Sequence, residues 1–142
     1  MVARLRHIAL SVPDVEQAAK FFEEAFGMTR AGKAGLGVYV TDGTINVALL
    51  KFPGKVPGFP GDKPHYGLIH FGMWVDDLDV AAKQVEKAGG AYLMGRMDNN
   101  PNTYYEVKYT DPNGVVFDLT HSGWKGAVKE VVPAPVATTA AE

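Results

Sequence analysis

HIALSVPDVEQAAKFFEEAFG, residues 7–27, and HFGMWVDDLDVAAKQVEKAGG, residues 70–90, read as one strand–helix unit written twice. At an ungapped offset of 63 residues (70 − 7) His7 falls on His70, Val12 on Val75, Asp14 on Asp77, and Ala18-Ala19-Lys20 on Ala81-Ala82-Lys83. Glu23, Ala25 and Gly27 fall on Glu86, Ala88 and Gly90, which makes nine identities in the 21 positions from 7 to 27. Two unrelated strand–helix units would share apolar positions through their common periodicity. That would not pair the histidines.

Working outward, each copy opens with alternation. Ile8, Leu10 and Val12 interleave with His7, Ala9 and Ser11, while Ile69, Phe71, Met73 and Val75 interleave with His70, Gly72 and Trp74. One strand face is apolar and the other carries the histidine. A helix follows: Asp14 caps the first, with Gln17 at the capping-box position, and Val15, Ala18, Ala19, Phe22 and Phe26 form its buried stripe before Gly27 stops it. In the second copy Asp76 or Asp77 caps, Leu78, Ala81, Ala82 and Val85 make the stripe, and Gly89-Gly90 ends it.

Both units then close in hairpins. Gly37–Thr41, Asp42-Gly43 and Thr44–Phe52 form one; Tyr104–Thr110, Asp111-Pro112-Asn113-Gly114 and Val115–Thr120 form the other. A further strand per unit is expected near Thr29–Gly32 and Ala91–Met94. The expected class is α+β, with two tandem βαβββ modules, residues 1–52 and 67–124, forming a curved mixed sheet, a cup, with its helices on the outer face. Residues 53–66, with Pro53, Pro57, Pro60 and Pro64 among glycines, have the composition of a linker that allows the modules to pack within one chain or exchange between two. Residues 125–142 are a C-terminal tail; from Val131 onward its Pro, Ala and Thr content predicts disorder.

Composition narrows the function. With 142 residues, 46% hydrophobic and 21% charged, the chain suffices for one core. A net charge of -2 offers no basic stripe for nucleic acid. No apolar run approaches the roughly 20 residues that cross a bilayer, and Met1–His7 leads straight into a strand, so a cytoplasmic protein without a membrane role is expected. There is no cysteine, so any metal must be held by nitrogen and oxygen.

The histidines share a sheet face opposite the helices, and Asp118 joins them: in Val115–Thr120 the outer parity is Val115, Phe117 and Leu119, placing Asp118 inside with Val116 and Thr120. An unpaired charge at a strand centre costs several kcal/mol, so Asp118 is expected to meet a cation, a metal or several donors. Two histidines and a carboxylate supply three ligands and leave other metal positions open. For a single histidine, a hydrogen-bonded core residue is the commoner case; symmetric placement favours ligation. For Asp118 the bland reading is a salt bridge to Lys108 on the neighbouring strand.

The duplicated unit, the histidine in the first strand of each copy, and the ending Asp111-Pro112-Asn113-Gly114-Val115-Val116-Phe117-Asp118-Leu119 resemble the vicinal oxygen chelate superfamily of glyoxalase I, extradiol dioxygenases, methylmalonyl-CoA epimerase and bleomycin- and fosfomycin-resistance proteins. The resemblance covers about residues 4–124. It implies one divalent metal (Fe2+, Mn2+, Ni2+, Co2+ or Zn2+) on His7, His70 and Asp118, with Asp118 standing where the family's usual ending has a glutamate. Glyoxalase-like members add a Glu or Gln in the last strand of the first unit, where this chain offers Ala48 or, at a stretch, Asn46. The remaining two-histidine, one-carboxylate set resembles that of the iron dioxygenases and leans toward oxygen chemistry over lyase or isomerase chemistry. Extradiol members place a catalytic tyrosine four residues before the proline of the turn; here that position is Lys108.

Tyr104, Glu106 and Lys108 share a parity and are the candidate acid–base and anion-stabilising groups, although polar alternation is also what a solvated strand face shows. His65 and His121 lie near strand ends, where surface histidines are common. Three readings follow from these residues. The first is a metal-dependent enzyme, a homodimer acting on a small oxygen-chelating substrate. The second is a metal-free dimer that sequesters a flat or cationic ligand between aromatic walls such as Trp74, Tyr104 and Trp124. The third is a partner-binding domain whose paired histidines are relics.

Overall fold

The computed structural model describes residues 3–95 and 106–133. The element order is β1 (Arg4–Ser11), α1 (Val15–Phe26), β2 (Thr29–Ala34), β3 (Gly37–Thr41), β4 (Asn46–Leu50), β5 (Gly67–Trp74), α2 (Leu78–Lys87), β6 (Ala91–Gly95), β7 (Val107–Thr110) and β8 (Val116–Thr120). Among the described residues these strands make one sheet in the order β2-β3-β4-β1-β5-β8-β7-β6, which reads the same from either end when the two copies are exchanged. The copies meet at the antiparallel β1·β5 seam, within one chain. Each first strand pairs in parallel with the last strand of its own copy, β1 with β4 and β5 with β8.

The helices cover the outer face, as the apolar parity requires. Under α1 lie Leu10, Val12, Val40, Val47 and Leu49; under α2 lie Phe71, Met73, Val107, Phe117 and Leu119. The caps follow the sequence: Asp14 accepts from the Gln17 N–H and Asp77 from the Val80 N–H, while Gly27 ends α1 at φ 65°, a left-handed conformation that glycine takes without strain. Among the described residues no helix is long and apolar enough to cross a membrane.

Two expectations change. Phe26, assigned to the buried stripe, is 64% exposed, because α1 is anchored through Ala19 with Val15, Ala18 and Phe22, and Phe26 lies past that contact on the last turn. Ile69, assigned to the helix side, faces the cup: a register shift in the β1·β5 ladder, where Ala9 pairs with His70 and Leu10 with Leu68, leaves Ile69 as an extra residue. It therefore packs with Ala9, Ala48 and Val56. The Pro- and Gly-rich connection forms no helix or strand, and part of it is packed. Val56 is 2% exposed, and Phe52 and Phe59 pack on the same inner cluster, so this segment closes the cup on one side. The last part of the tail, residues 134–142, lies outside the described residues.

Candidate metal centre

Strand parity and the central seam bring the predicted ligands together. His7 and His70 are mates in the repeat, and β1·β5 pairing sets Ala9 against His70 and His7 against Gly72. Their Nε2 atoms lie 3.2 Å apart. Asp118, opposite Gly72 on β8, places Oδ2 3.0 Å from His70 Nε2. Ligand-capable atoms of the three residues all lie within 4.8 Å of one another, and the residues are 2%, 9% and 0% exposed.

His7 is oriented by Asn46. The Asn46 amide donates through Nδ2 to the Lys125 carbonyl at 2.7 Å, so its Oδ1, 2.6 Å from His7 Nδ1, accepts the imidazole proton. That tautomer leaves the Nε2 lone pair directed at His70 and Asp118. Burial, with the nearby His70, lowers the His7 pKa to about 4, so the ring is neutral at ordinary pH and suited to ligation.

Asp118 divides its two oxygens. Oδ1 accepts from Lys108 Nζ at 2.6 Å, across the register pair Lys108–Asp118. Oδ2 is buried and accepts no hydrogen bond, although His70 Nε2 is close by. The salt-bridge reading and the ligand reading are thus compatible, one on each oxygen. Burial alone would push this carboxyl up; His70 and Lys108 outweigh it and hold it below the usual carboxylate range. Two imidazole nitrogens and a carboxylate oxygen, all capable of ligating a metal, therefore face one point in a buried site. This donor set fits a borderline divalent ion.

A cavity of about 180 Å³ adjoins these groups. His7, His70, Glu106 and Lys108 form its polar side, opposite an apolar side that includes Tyr39, Ala48, Leu50 and Ile69 and, from the connecting segment, Val56 and Pro57. Burial and the negative charge of Asp118 push the Glu106 carboxyl above the usual carboxylate range, so it holds a proton more tightly than an exposed glutamate. Lys108 lies 3.7 Å from Glu106 Oε2.

The other candidates fall elsewhere. Tyr104 lies outside the described residues. His65 stacks on Phe59 with ring centroids 4.0 Å apart. Both ring nitrogens of His121 are buried without a hydrogen bond, and its carbonyl accepts from Trp74 Nε1. Trp124 is no open wall: it is 5% exposed and stacks on His7, with centroids 4.7 Å apart and planes at 7°. Sequence reasoning weighed Asn46 only as a ligand and missed its role behind His7; a polar residue of inner parity beside a histidine strand was the available signal. It also missed the wall made by the connecting segment, where Val56 and Phe59 stand out as apolar residues among prolines and glycines.

The family model for the Glyoxalase/Bleomycin resistance protein/Dioxygenase superfamily matches residues 4–119. The chain is 26% identical over 121 residues to glutathione transferase FosA of Serratia marcescens, covering 84% of this chain and 81% of that protein. It is 30% identical over 141 residues to the anthracycline biosynthesis protein DnrV of Streptomyces peucetius, covering 89% of this chain and 50% of DnrV, so it spans about half the length of that relative. Among solved structures, the Mn(II)-bound glyoxalase from Novosphingobium aromaticivorans aligns with a TM-score of 0.62 and 17% identity, over 92% of this chain and 44% of that one.

Proposed function

This chain belongs to the Glyoxalase/Bleomycin resistance protein/Dioxygenase superfamily, and from that premise we propose that it is an enzyme using one divalent metal ion on His7, His70 and Asp118. Its substrate is a small molecule offering two adjacent oxygens. The observation that carries this reading is the convergence of three buried donor atoms on one point, with Asp118 Oδ2 lacking any hydrogen bond. A bound ion would supply Lewis acidity and a template for the two oxygens.

The chain's own residues supply the rest. Lys108, already on Asp118 Oδ1 and lining the cavity, meets negative charge on a bound substrate oxygen. Glu106, also lining the cavity and holding its proton tightly, gives or takes a proton there. The apolar side of the cavity seats the body of the substrate and keeps water out. The ions we propose are Fe2+, Mn2+, Ni2+, Co2+ and Zn2+, all served by nitrogen and oxygen ligands. Within this reading we place dioxygenation ahead of lyase or isomerase chemistry, because the first copy contributes a histidine but no carboxylate: register pairs Ala9 with Ala48 as it pairs Gly72 with Asp118. A cytoplasmic homodimer belongs to the same proposal.

Elemental analysis of untagged protein prepared without chelators, beside Asp118→Ala, tests it. Near-stoichiometric metal in the native chain and little in the variant supports the enzyme. No metal in either, even after reconstitution with each ion, overturns it in favour of a metal-free protein that binds its ligand in the same cavity.

A further inference from the structure

After β8 the chain crosses from the second copy to the first. His121 O accepts from Trp74 Nε1 at 3.0 Å, Lys125 O from Asn46 Nδ2 at 2.7 Å, and Gly126 O from Thr41 Oγ1 at 2.7 Å. The Val128 N–H donates to Thr44 O at 3.0 Å, and Arg6 Nε donates to Val128 O at 2.6 Å. Residues 121–128 are therefore a strap stitched at five points, each through one of its own backbone atoms.

Trp124 stands at the middle of the strap. One face of its indole covers His7, in the near-parallel stack described above, and its Nε1–H donates to Glu106 Oε1. Its seat is Gly72, the residue opposite both His7 and Asp118: a Cβ there would lie 2.6 Å from the indole and 2.8 Å from the His7 Cβ. The next residue of the strap holds Asn46, which in turn fixes the His7 tautomer. One short segment thus reaches a proposed ligand by two routes and a proposed proton carrier by a third, and the groups it joins come from opposite halves of the sheet.

We propose that Trp124 is a positioning residue of the metal centre, setting the tilt of the His7 ring through its face and holding the Glu106 carboxyl toward the cavity through its N–H. The inference rests on the metal reading above. A tryptophan that only fills the mouth of the cup would stabilise the fold without affecting affinity or the environment of Glu106. A positioning tryptophan has two separable parts: phenylalanine keeps much of the stack and loses the N–H, and alanine loses both.

The test uses the full chain, Zn(II) as the probe, and three variants: Trp124→Phe, Trp124→Ala and Glu106→Gln. Zn(II) affinity is measured by chelator competition, and the two indole N–H resonances are followed by NMR, with Trp74 as the internal control. We expect Zn(II) to move the Trp124 resonance more than that of Trp74, and Glu106→Gln to move it in the absence of metal. Trp124→Phe should keep Zn(II) affinity within about threefold, and Trp124→Ala should lose about 10- to 100-fold, the usual effect of removing a group that orients a ligand. If Trp124→Ala, with a dispersed folded spectrum, binds Zn(II) as tightly as the native chain, the inference falls while the metal reading stands. If Trp124→Ala does not fold, an unresponsive Trp124 resonance in the native chain overturns the inference. If the native chain binds no metal at all, both fall.

Discussion

His7 and His70 hold the same place in the two copies, yet they are kept there differently. In the first copy the β1·β4 ladder runs from His7–Asn46 to Ser11–Leu50, so an amide stands beside the histidine. In the second the β5·β8 ladder begins one pair later, at Phe71–Phe117, and the residue that would match Asn46 is Val116. One step in from each, Ala48 in the first copy answers to Asp118 in the second. In the proposed centre the first copy therefore uses its polar residue to orient a ligand, and the second uses its own as one. Symmetry of the scaffold brings the histidines together; single residues then divide the work between the halves.

That division can be broken deliberately. The largest effect should come from Asp118→Ala, which removes a ligand and strands Lys108: metal affinity should fall about a thousandfold, ~4 kcal/mol, in a competition titration. Next comes a control in which the copies should behave alike. Leu49 and Leu119 lie at matched ladder positions, beside Leu10 and Met73, and are 0% and 2% exposed. Leu49→Ala and Leu119→Ala should each cost about 3 kcal/mol in denaturant unfolding, and a large inequality would show that the cores under the two helices are not equivalent.

Asn46→Val, which gives the first copy the side chain of the second, should weaken metal binding about 10- to 100-fold while leaving a folded protein. The reciprocal Val116→Asn should gain nothing comparable. The helix caps offer a smaller comparison, since Asp14→Ala and Asp77→Ala should each cost about 1 kcal/mol. The smallest effect is at the turns. Asp42 accepts from the Ile45 and Thr44 N–H groups and Asp111 from those of Val115 and Asn113, and these bonds hold both carboxyls below their ordinary value. A lowered folded pKa adds stability above the unfolded value, about 3.9 for aspartate, and loses it as pH falls through the folded one. Asp42→Asn and Asp111→Asn should therefore each flatten the acid limb of Tm against pH below about pH 4, to similar small extents.

The fold was legible because a repeat constrains more than a pattern does. Periodicity predicted strands and helices one by one, but the offset of 63 tied them together, and Asp118 followed from parity alone. What escaped was whatever breaks a period. Ile69 changed face because an extra residue in one strand inverts the alternation beyond it, and no local preference in Leu68-Ile69-His70 announces that. Phe26 was counted as buried because a stripe says which way a side chain points, not where the sheet beneath it ends. The strap around Trp124 was invisible for a different reason: a crossing segment held through its carbonyls leaves no periodic trace in its side chains.

The seam between β1 and β5 lies inside a single polypeptide, with residues 51–66 as its tether. Two separate copies of an ancestral half would have had to find each other in solution, whereas a short tether holds them at an effective concentration in the millimolar range. It also frees them genetically. In a symmetric pair of identical halves, every substitution appears twice and each side of the centre must change together. In a fused chain Ala48 can stand on one side while Asp118 stands at the matching place on the other, and a departure from symmetry at the centre needs only one codon.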